Sequence, residues 1–259
     1  MQVIHVDGIK YYRSERWPHL KHGIFTRHGG VSSGVWGSLN LGGTVGDDPR
    51  AVRQNHDRVY SVLEVPGHNA CTTWQVHGAD VVCALQPLKA RRWLDRADGV
   101  VTNKPDLPLV MRYADCVPLL YYDAVKRAVG LAHAGWRGTV QGMAANMVRA
   151  MESCFGSNPQ DIQVIIGPSI SQDTFQVGEE VVDALYAYFG DEASEFVRRD
   201  TADGSAYVDL WAANCLDLQR VGVVDIEVSG ICTYSSTDDF YSHRGEKGKT
   251  GRFGVVISL

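Results

Sequence analysis

Apolar and polar positions along this chain alternate in short runs, broken by clusters of Gly, Pro, Asp and Ser. Residues 23–42, GIFTRHGGVSSGVWGSLNLG, read as a short strand entering a Gly/Ser loop. Asp48-Pro49 then opens a helix, with Asp as N-cap and Pro at the first helical position. Val52, His56, Val59 and Leu63 give that helix one apolar or semi-apolar face. Residues 69–84 predict two strands around a turn at His77-Gly78-Ala79-Asp80. Residues 98–103 and 108–122 predict two more, the second interrupted near Asp115-Cys116. Pro118 cannot donate to a ladder, so it requires a bulge or a strand end there. Residues 127–134 predict a strand, followed by the turn GWRGT and a helix from Val140 to Cys154. Met143, Met147, Ala150 and Met151 share one face of that helix. A strand at 162–170, helices near 178–189 and 208–221, and late strands in IEVSGICT and FGVVISL complete the pattern. Strands and helices interleave without a regular βαβ rhythm. The prediction is an α/β (α+β) fold of mixed sheets flanked by helices, and neither a Rossmann fold nor a barrel.

Composition narrows the function classes. The chain has 259 residues, 44% hydrophobic and 21% charged, with a formal net charge of −5. That is an ordinary globular composition. It lacks a Ser/Gly linker, charge block or repeat, so one domain over residues 1–259 is expected. No apolar run approaches the ~18 residues of a membrane-spanning helix. The acidic balance argues against a general nucleic-acid binder. The start, MQVIHVDGIKYYRSERW, has no apolar signal region, so a cytoplasmic location is expected. Six cysteines without a CxxC pair suit reduced thiols better than a disulfide scaffold or a zinc ribbon. There are 27 glycines, against about 18 at average usage. They cluster beside apolar runs, which suits turns more than linkers.

Three chemistry-bearing residues stand where an apolar strand gives way to a turn: His77 in WQVHGAD, Cys116 in YADCVPLL and His133 in GLAHAGWRG. One Cys and two His form a known three-ligand set for catalytic zinc. Their spacings, tens of residues, are far too long for a local motif. Two other readings stay open on spacing alone. Cys116 can be a core thiol with the histidines satisfied at strand ends, or a nucleophile with His133 as its base. Asp115, adjacent to Cys116, should point to the opposite strand face and makes a poor partner. Residues 134–139, AGWRGT, lie between a strand and a helix, where amides and Arg137 suit an anion. Arg27 in TRHGG and Arg244 in SHRGEKGKTGR are similar in kind. No Walker A loop, calcium loop or G-x-S-x-G elbow is present.

These motifs together resemble the YfiH family of bacterial proteins. That family has been described as laccase-like multicopper polyphenol oxidase, as purine nucleoside phosphorylase and as peptidoglycan editing factor. The segments that carry the resemblance include FTRHGGVSSGVWGSLNLG (25–42), WQVHGADVV (74–82), ADGVVTNKPDLPLVMRYADCVPLLYYD (97–123), VGLAHAGWRGTVQGM (129–143) and CTYSSTDDFYSHRGEKGKTGR (232–252). The resemblance implies a fold similar to that of a class of deamidating toxins. It implies that His77, Cys116 and His133 converge on one metal, normally zinc, with copper the less favoured ion. The implied reaction is phosphorolysis of adenosine, inosine and methylthioadenosine, with adenosine deamination at the same site. On this reading Arg27 and Arg137 are candidates for phosphate, and Asn40 in SLNLG for base or ribose. The implied partners are a purine nucleoside and phosphate, with no nucleic acid or membrane, and a homodimer is compatible. His243 stands where the family more usually has an aromatic or small residue, at the rim of the pocket. The competing activities are amide hydrolysis on a cell-wall precursor and copper-dependent phenol oxidation. None of the nine histidines falls in the HxH pairs of a multicopper enzyme.

Overall fold

The computed structural model of the chain describes residues 1–87 and 93–259. In chain order the strands are β1 (Gln2–Val6), β2 (Ile9–Arg13), β3 (Lys21–Phe25), β4 (Val81–Cys83), β5 (Gly99–Thr102), β6 (Leu109–Tyr113), β7 (Val117–Asp123), β8 (Ala128–Ala134), β9 (Ile162–Ile166), β10 (Gln176–Val177), β11 (Val197–Arg199), β12 (Ala206–Val208), β13 (Asp225–Val228) and β14 (Phe253–Ser258). The α-helices are α1 (Pro49–Val62), α2 (Trp136–Thr139), α3 (Met143–Phe155), α4 (Glu179–Phe189) and α5 (Leu210–Arg220).

Two large sheets dominate. The five-stranded one runs β1-β2-β3-β14-β6 and is antiparallel throughout. The six-stranded one runs β13-β9-β7-β8-β5-β4 and is mixed, with β13–β9 and β4–β5 parallel. A small β10-β12-β11 sheet stands apart. Period-2 alternation decides what packs where. Leu109, Met111 and Tyr113 on β6 join Phe253, Val255 and Ile257 on β14 in a core shared with Val100, Leu120, Leu131 and Ile165 of the other sheet. The opposite face of the six-stranded sheet packs Leu119, Tyr121 and Val164 against Met143, Met147 and Met151 of α3, and against α4 and α5. The opposite face of the five-stranded sheet packs Val110 and Val256 against Val59 and Tyr60 of α1 and Leu63 at its C-cap. The result is a four-layer α/β/β/α arrangement of mixed sheets flanked by helices. Among the described residues no helix is long and apolar enough to cross a membrane.

Local expectations meet different fates. Asp48 caps α1, accepting from Arg50 N, and Val52, Val59 and Leu63 are buried. The interruption at 114–116 is present, and Pro118 stands near the start of β7, where pairing with β9 begins only at Leu119. Residues 69–80 do not form the expected first strand. Their backbone makes single bridges to two partners, Cys71 with Leu109 and Trp74 with Arg96, so no ladder propagates. GWRGT is one helical turn, α2, and not a loop. The following helix begins at Met143 because Gly142 takes a left-handed φ of 75°. The DG turn at Asp7-Gly8, with φ values of 50° and 80°, closes an N-terminal hairpin that the sequence pattern had left unassigned.

Candidate metal centre

His77, Cys116 and His133 come together although they lie on separate segments. Their ligand atoms all lie within 4.8 Å of one another, and they are the only such His/Cys/Asp/Glu group found among the described residues. Topology explains the convergence. β8 carries His133 at its end, opposite Pro118 of β7, so Cys116 just before β7 reaches the same edge. β5 pairs with the other side of β8, and its approach at Asp98 faces His133.

Asp98 is the residue that joins the set. Its side chain is fully buried. Oδ1 accepts from His133 Nδ1 at 2.8 Å and from His77 N at 3.0 Å, while Oδ2 accepts from Val76 N at 2.9 Å and Gly78 N at 2.8 Å. One carboxylate therefore orients one ligand ring and clamps the turn that bears the other. The clamp holds His77 at φ 62°, a left-handed conformation that a non-glycine residue rarely adopts unaided. Burial works against the charge of Asp98. The His133 contact and the amide donors prevail, and its carboxyl lies below the ordinary range. In the neutral ring the proton stands on Nδ1, directed at Asp98, which leaves the Nε2 lone pair of His133 for a metal.

Cys116 sits in the complementary field. Burial works against its thiolate, yet the charges and hydrogen bonds of His133 and His77 bring its pKa down to about 6. Burial likewise opposes the charge of His133, and Cys116 and Asp98 carry it up to about 9. A thiolate beside two imidazoles offers one sulfur and two nitrogen donors that could hold a single metal ion. The cradle also demands glycine. A Cβ at Gly135 would stand 3.0 Å from Cys116 Sγ and 3.3 Å from His77 Cδ2, and one at Gly138 would stand 2.8 Å from Gly78 O. The residues present fit a metal ion.

The trio lies on the wall of a cavity of about 860 Å³. Trp136 and Phe175 supply apolar wall, and Arg112, Arg137, Arg244 and Arg252 all line it.

A family model described as multi-copper polyphenol oxidoreductase laccase matches residues 21–259. Purine nucleoside phosphorylase YlmD of Bacillus subtilis (strain 168) is 38% identical over 245 residues, covering 92% of this chain and 87% of that protein. Purine nucleoside phosphorylase YfiH of Escherichia coli (strain K12) is 34% identical over 252 residues, with 94% and 97% covered. The crystal structure of YlmD from Geobacillus stearothermophilus superposes with a TM-score of 0.93 at 34% identity, covering 98% of this chain and 97% of that one. The chain belongs to the YfiH family.

Within this YfiH-family chain the other sequence-predicted residues divide. Arg137 lines the cavity, exposed, with its guanidinium 4.3 Å from the Trp136 ring. Arg244 lines it too, donating to Gln176 O at 2.9 Å, and His243 is beside it. Arg27 is not at the cavity. Its Nε donates to Gly37 O, its Nη1 to Thr237 O and Glu246, and it stacks 4.5 Å over Tyr241. Nε and Nη1 are occupied, the latter in fastening the C-terminal loop, and the absence of Arg27 from the cavity wall corrects its reading as a phosphate ligand. Asn40 is corrected likewise. It is fully buried, donates to Gly42 O and Asp47, and accepts from Gly42 N and Arg252 N. It shapes the loop that follows, in which Leu41 to Val45 line the cavity. Asp115 is no partner of the ligands, as expected. With φ 80° it turns away and accepts from Thr233, Ser242 and Arg244 N. Sequence reasoning missed Asp98, Arg112 and Arg252. The signal for Asp98 was an acid preceding Gly99 at the start of an apolar strand.

Proposed function

We propose that this chain is a zinc-dependent purine nucleoside phosphorylase acting on adenosine, inosine and methylthioadenosine, with adenosine deamination at the same site. One observation carries the reading. The His77–Cys116–His133 set opens into an arginine-lined cavity, in a chain 38% identical to a protein named purine nucleoside phosphorylase. Phosphorolysis joins a phosphate oxygen to C1′ of the ribose and breaks the bond from C1′ to the base, which leaves with a proton. His77, Cys116 and His133 would hold the zinc, which would supply Lewis acidity when bound. The chain's own residues do the rest. Asp98 keeps the proton on Nδ1 of His133 and fixes the ring. Gly135 leaves the room that substrate and ligands share. Arg137 and Arg244 make the entrance positive, which favours an incoming phosphate. Trp136 and Phe175 offer apolar faces to the nucleoside. A reduced thiolate ligand suits the cytoplasm.

The words of the family model favour a second reading, copper-dependent phenol oxidation. A His₂Cys copper site takes a long axial ligand, and a multicopper enzyme requires further metal sites. Among the described residues no second group of this kind is present. The test is product identification with adenosine, with and without phosphate, on protein whose bound metal has been measured. Adenine formed only with phosphate, on stoichiometric zinc, is expected. Stoichiometric copper with oxidation of phenols and no turnover of any purine nucleoside would overturn the proposal.

A further inference from the structure

Two half-buried arginines of the cavity have no role in the reading so far. Arg112 is on β6. Arg252 immediately precedes β14, where Gly254 pairs with Arg112. Alternation along the strand therefore sends both side chains to the same face of the sheet. Val110 and Val256 on that face pack beneath α1, whereas Arg112 and Arg252 line the cavity.

Neither guanidinium has a counter-ion among the described residues. Arg112 donates from Nη1 to Thr72 Oγ1 at 2.6 Å and from Nη2 to Thr73 O at 3.0 Å. Arg252 uses Nη1 alone, to Thr250 O at 3.2 Å and Gly251 O at 2.7 Å. These acceptors are neutral. No carboxylate of the described residues lies within ion-pair distance of either. Asp115 and Glu246 act on Arg252 only through their field. Both are already engaged, Asp115 by Thr233, Ser242 and Arg244 N, and Glu246 by Arg27, Ser242 N and Thr250. Nε and Nη2 of Arg252 and Nε of Arg112 thus have no acceptor among the described residues. Burial disfavours both cations and pulls their pKa values below the ordinary arginine value. Two half-buried cations on one face, with neutral acceptors and no counter-ion among the described residues, are an arrangement that a tetrahedral dianion relieves. The exposed Arg137 is screened by water and can make only a weaker contact. Arg252 is also within electrostatic range of Cys116, so an anion held there adjoins the metal ligands.

We propose that Arg112 and Arg252 together seat the phosphate dianion, and that Arg137 and Arg244 serve at the rim. The assignment of this anion as the co-substrate rests on the phosphorolytic reading; the existence of the site does not. The test measures binding of inorganic phosphate to the wild-type protein by calorimetry without nucleoside, and then to R252Q, R252K and R112Q. A parallel arm uses adenosine 5′-monophosphate. An exposed control, R149Q on α3, corrects for the change in net charge. Saturable phosphate binding that weakens at least tenfold in R252Q and R112Q, partly in R252K and not in R149Q is expected. Phosphate should also protect Arg252 of the wild-type protein from phenylglyoxal, a readout that needs no variant. If phosphate binds in this way but no nucleoside is cleaved, the seat stands and the phosphorylase reading falls. If inosine is cleaved while R252Q and R112Q keep the wild-type phosphate KM, the phosphorylase reading stands and the seat falls. Absence of phosphate binding and protection, or binding of the monophosphate alone, also overturns it.

Discussion

At the residue scale, Asp98 decides whether His77 and His133 can act together. Replacing it with Asn keeps the shape but removes the charge that fixes the imidazole tautomer and accepts three backbone amides. D98N should lower metal affinity by about 10–100-fold, the usual effect of losing such a supporting carboxylate. Competition with a chromogenic chelator measures it. Gly135→Ala places a methyl 3.0 Å from Cys116 Sγ and should deplete bound metal while the fold survives, as seen by circular dichroism alongside metal analysis. Cys116 ionises near 6, below its ordinary value of 9.0. Its thiolate is therefore present at pH 7 and is lost as pH falls through 6; because His133 already takes a proton below about 9, metal retention should fall steadily with pH and most steeply near 6. The candidate trio was legible in the sequence because each residue stands where an apolar run gives way to a turn, although only His133 lies within a strand of the fold. Asp98 was not, because its role is made of hydrogen bonds to backbone amides about twenty residues away in sequence. Arg27 was misread for a related reason. Its partners Thr237 and Glu246 lie over two hundred residues downstream.

At the element scale, loops and not strands shape the cavity. The Leu41–Val45 loop is folded by Asn40, whose amide makes four hydrogen bonds without reaching the cavity. N40A leaves buried donors and acceptors unpaired and should cost about 2 kcal/mol or more. A shifted denaturant midpoint with an unchanged m-value would report it. The C-terminal loop bearing His243 and Arg244 is tied to the ligand strand by Asp115, at 2.7 Å from Thr233 and Ser242 and 2.6 Å from Arg244 N. Helix α1 was legible from its cap and periodic face. The stretch 69–80 was not, because its apolar alternation resembles a strand while its backbone bonds are divided between two neighbours. The DG turn of the first hairpin was readable and went unread.

At the scale of the whole molecule, the mixed α/β architecture was legible from the irregular interleaving of strands and helices. The four-layer stacking was not, since pairings such as β3 with β14 join the two ends of the chain. The candidate metal centre joins the turn at His77, the approach to β5 at Asp98, Cys116 just before β7 and the end of β8. A ligand that binds only the folded state stabilises it by mass action, about 2.7 kcal/mol at a hundredfold excess over Kd. Chelation should therefore lower the melting temperature by several degrees and abolish turnover, with both restored by zinc.

Phosphorolysis at the His77–Cys116–His133 site is tested by the stoichiometry of ribose 1-phosphate and hypoxanthine formed from inosine in phosphate buffer, by the wild type and by C116S. One ribose 1-phosphate per hypoxanthine from the wild type, neither without phosphate, and neither from C116S are the predicted results. Hypoxanthine released without phosphate, or undiminished turnover by C116S, would contradict the account.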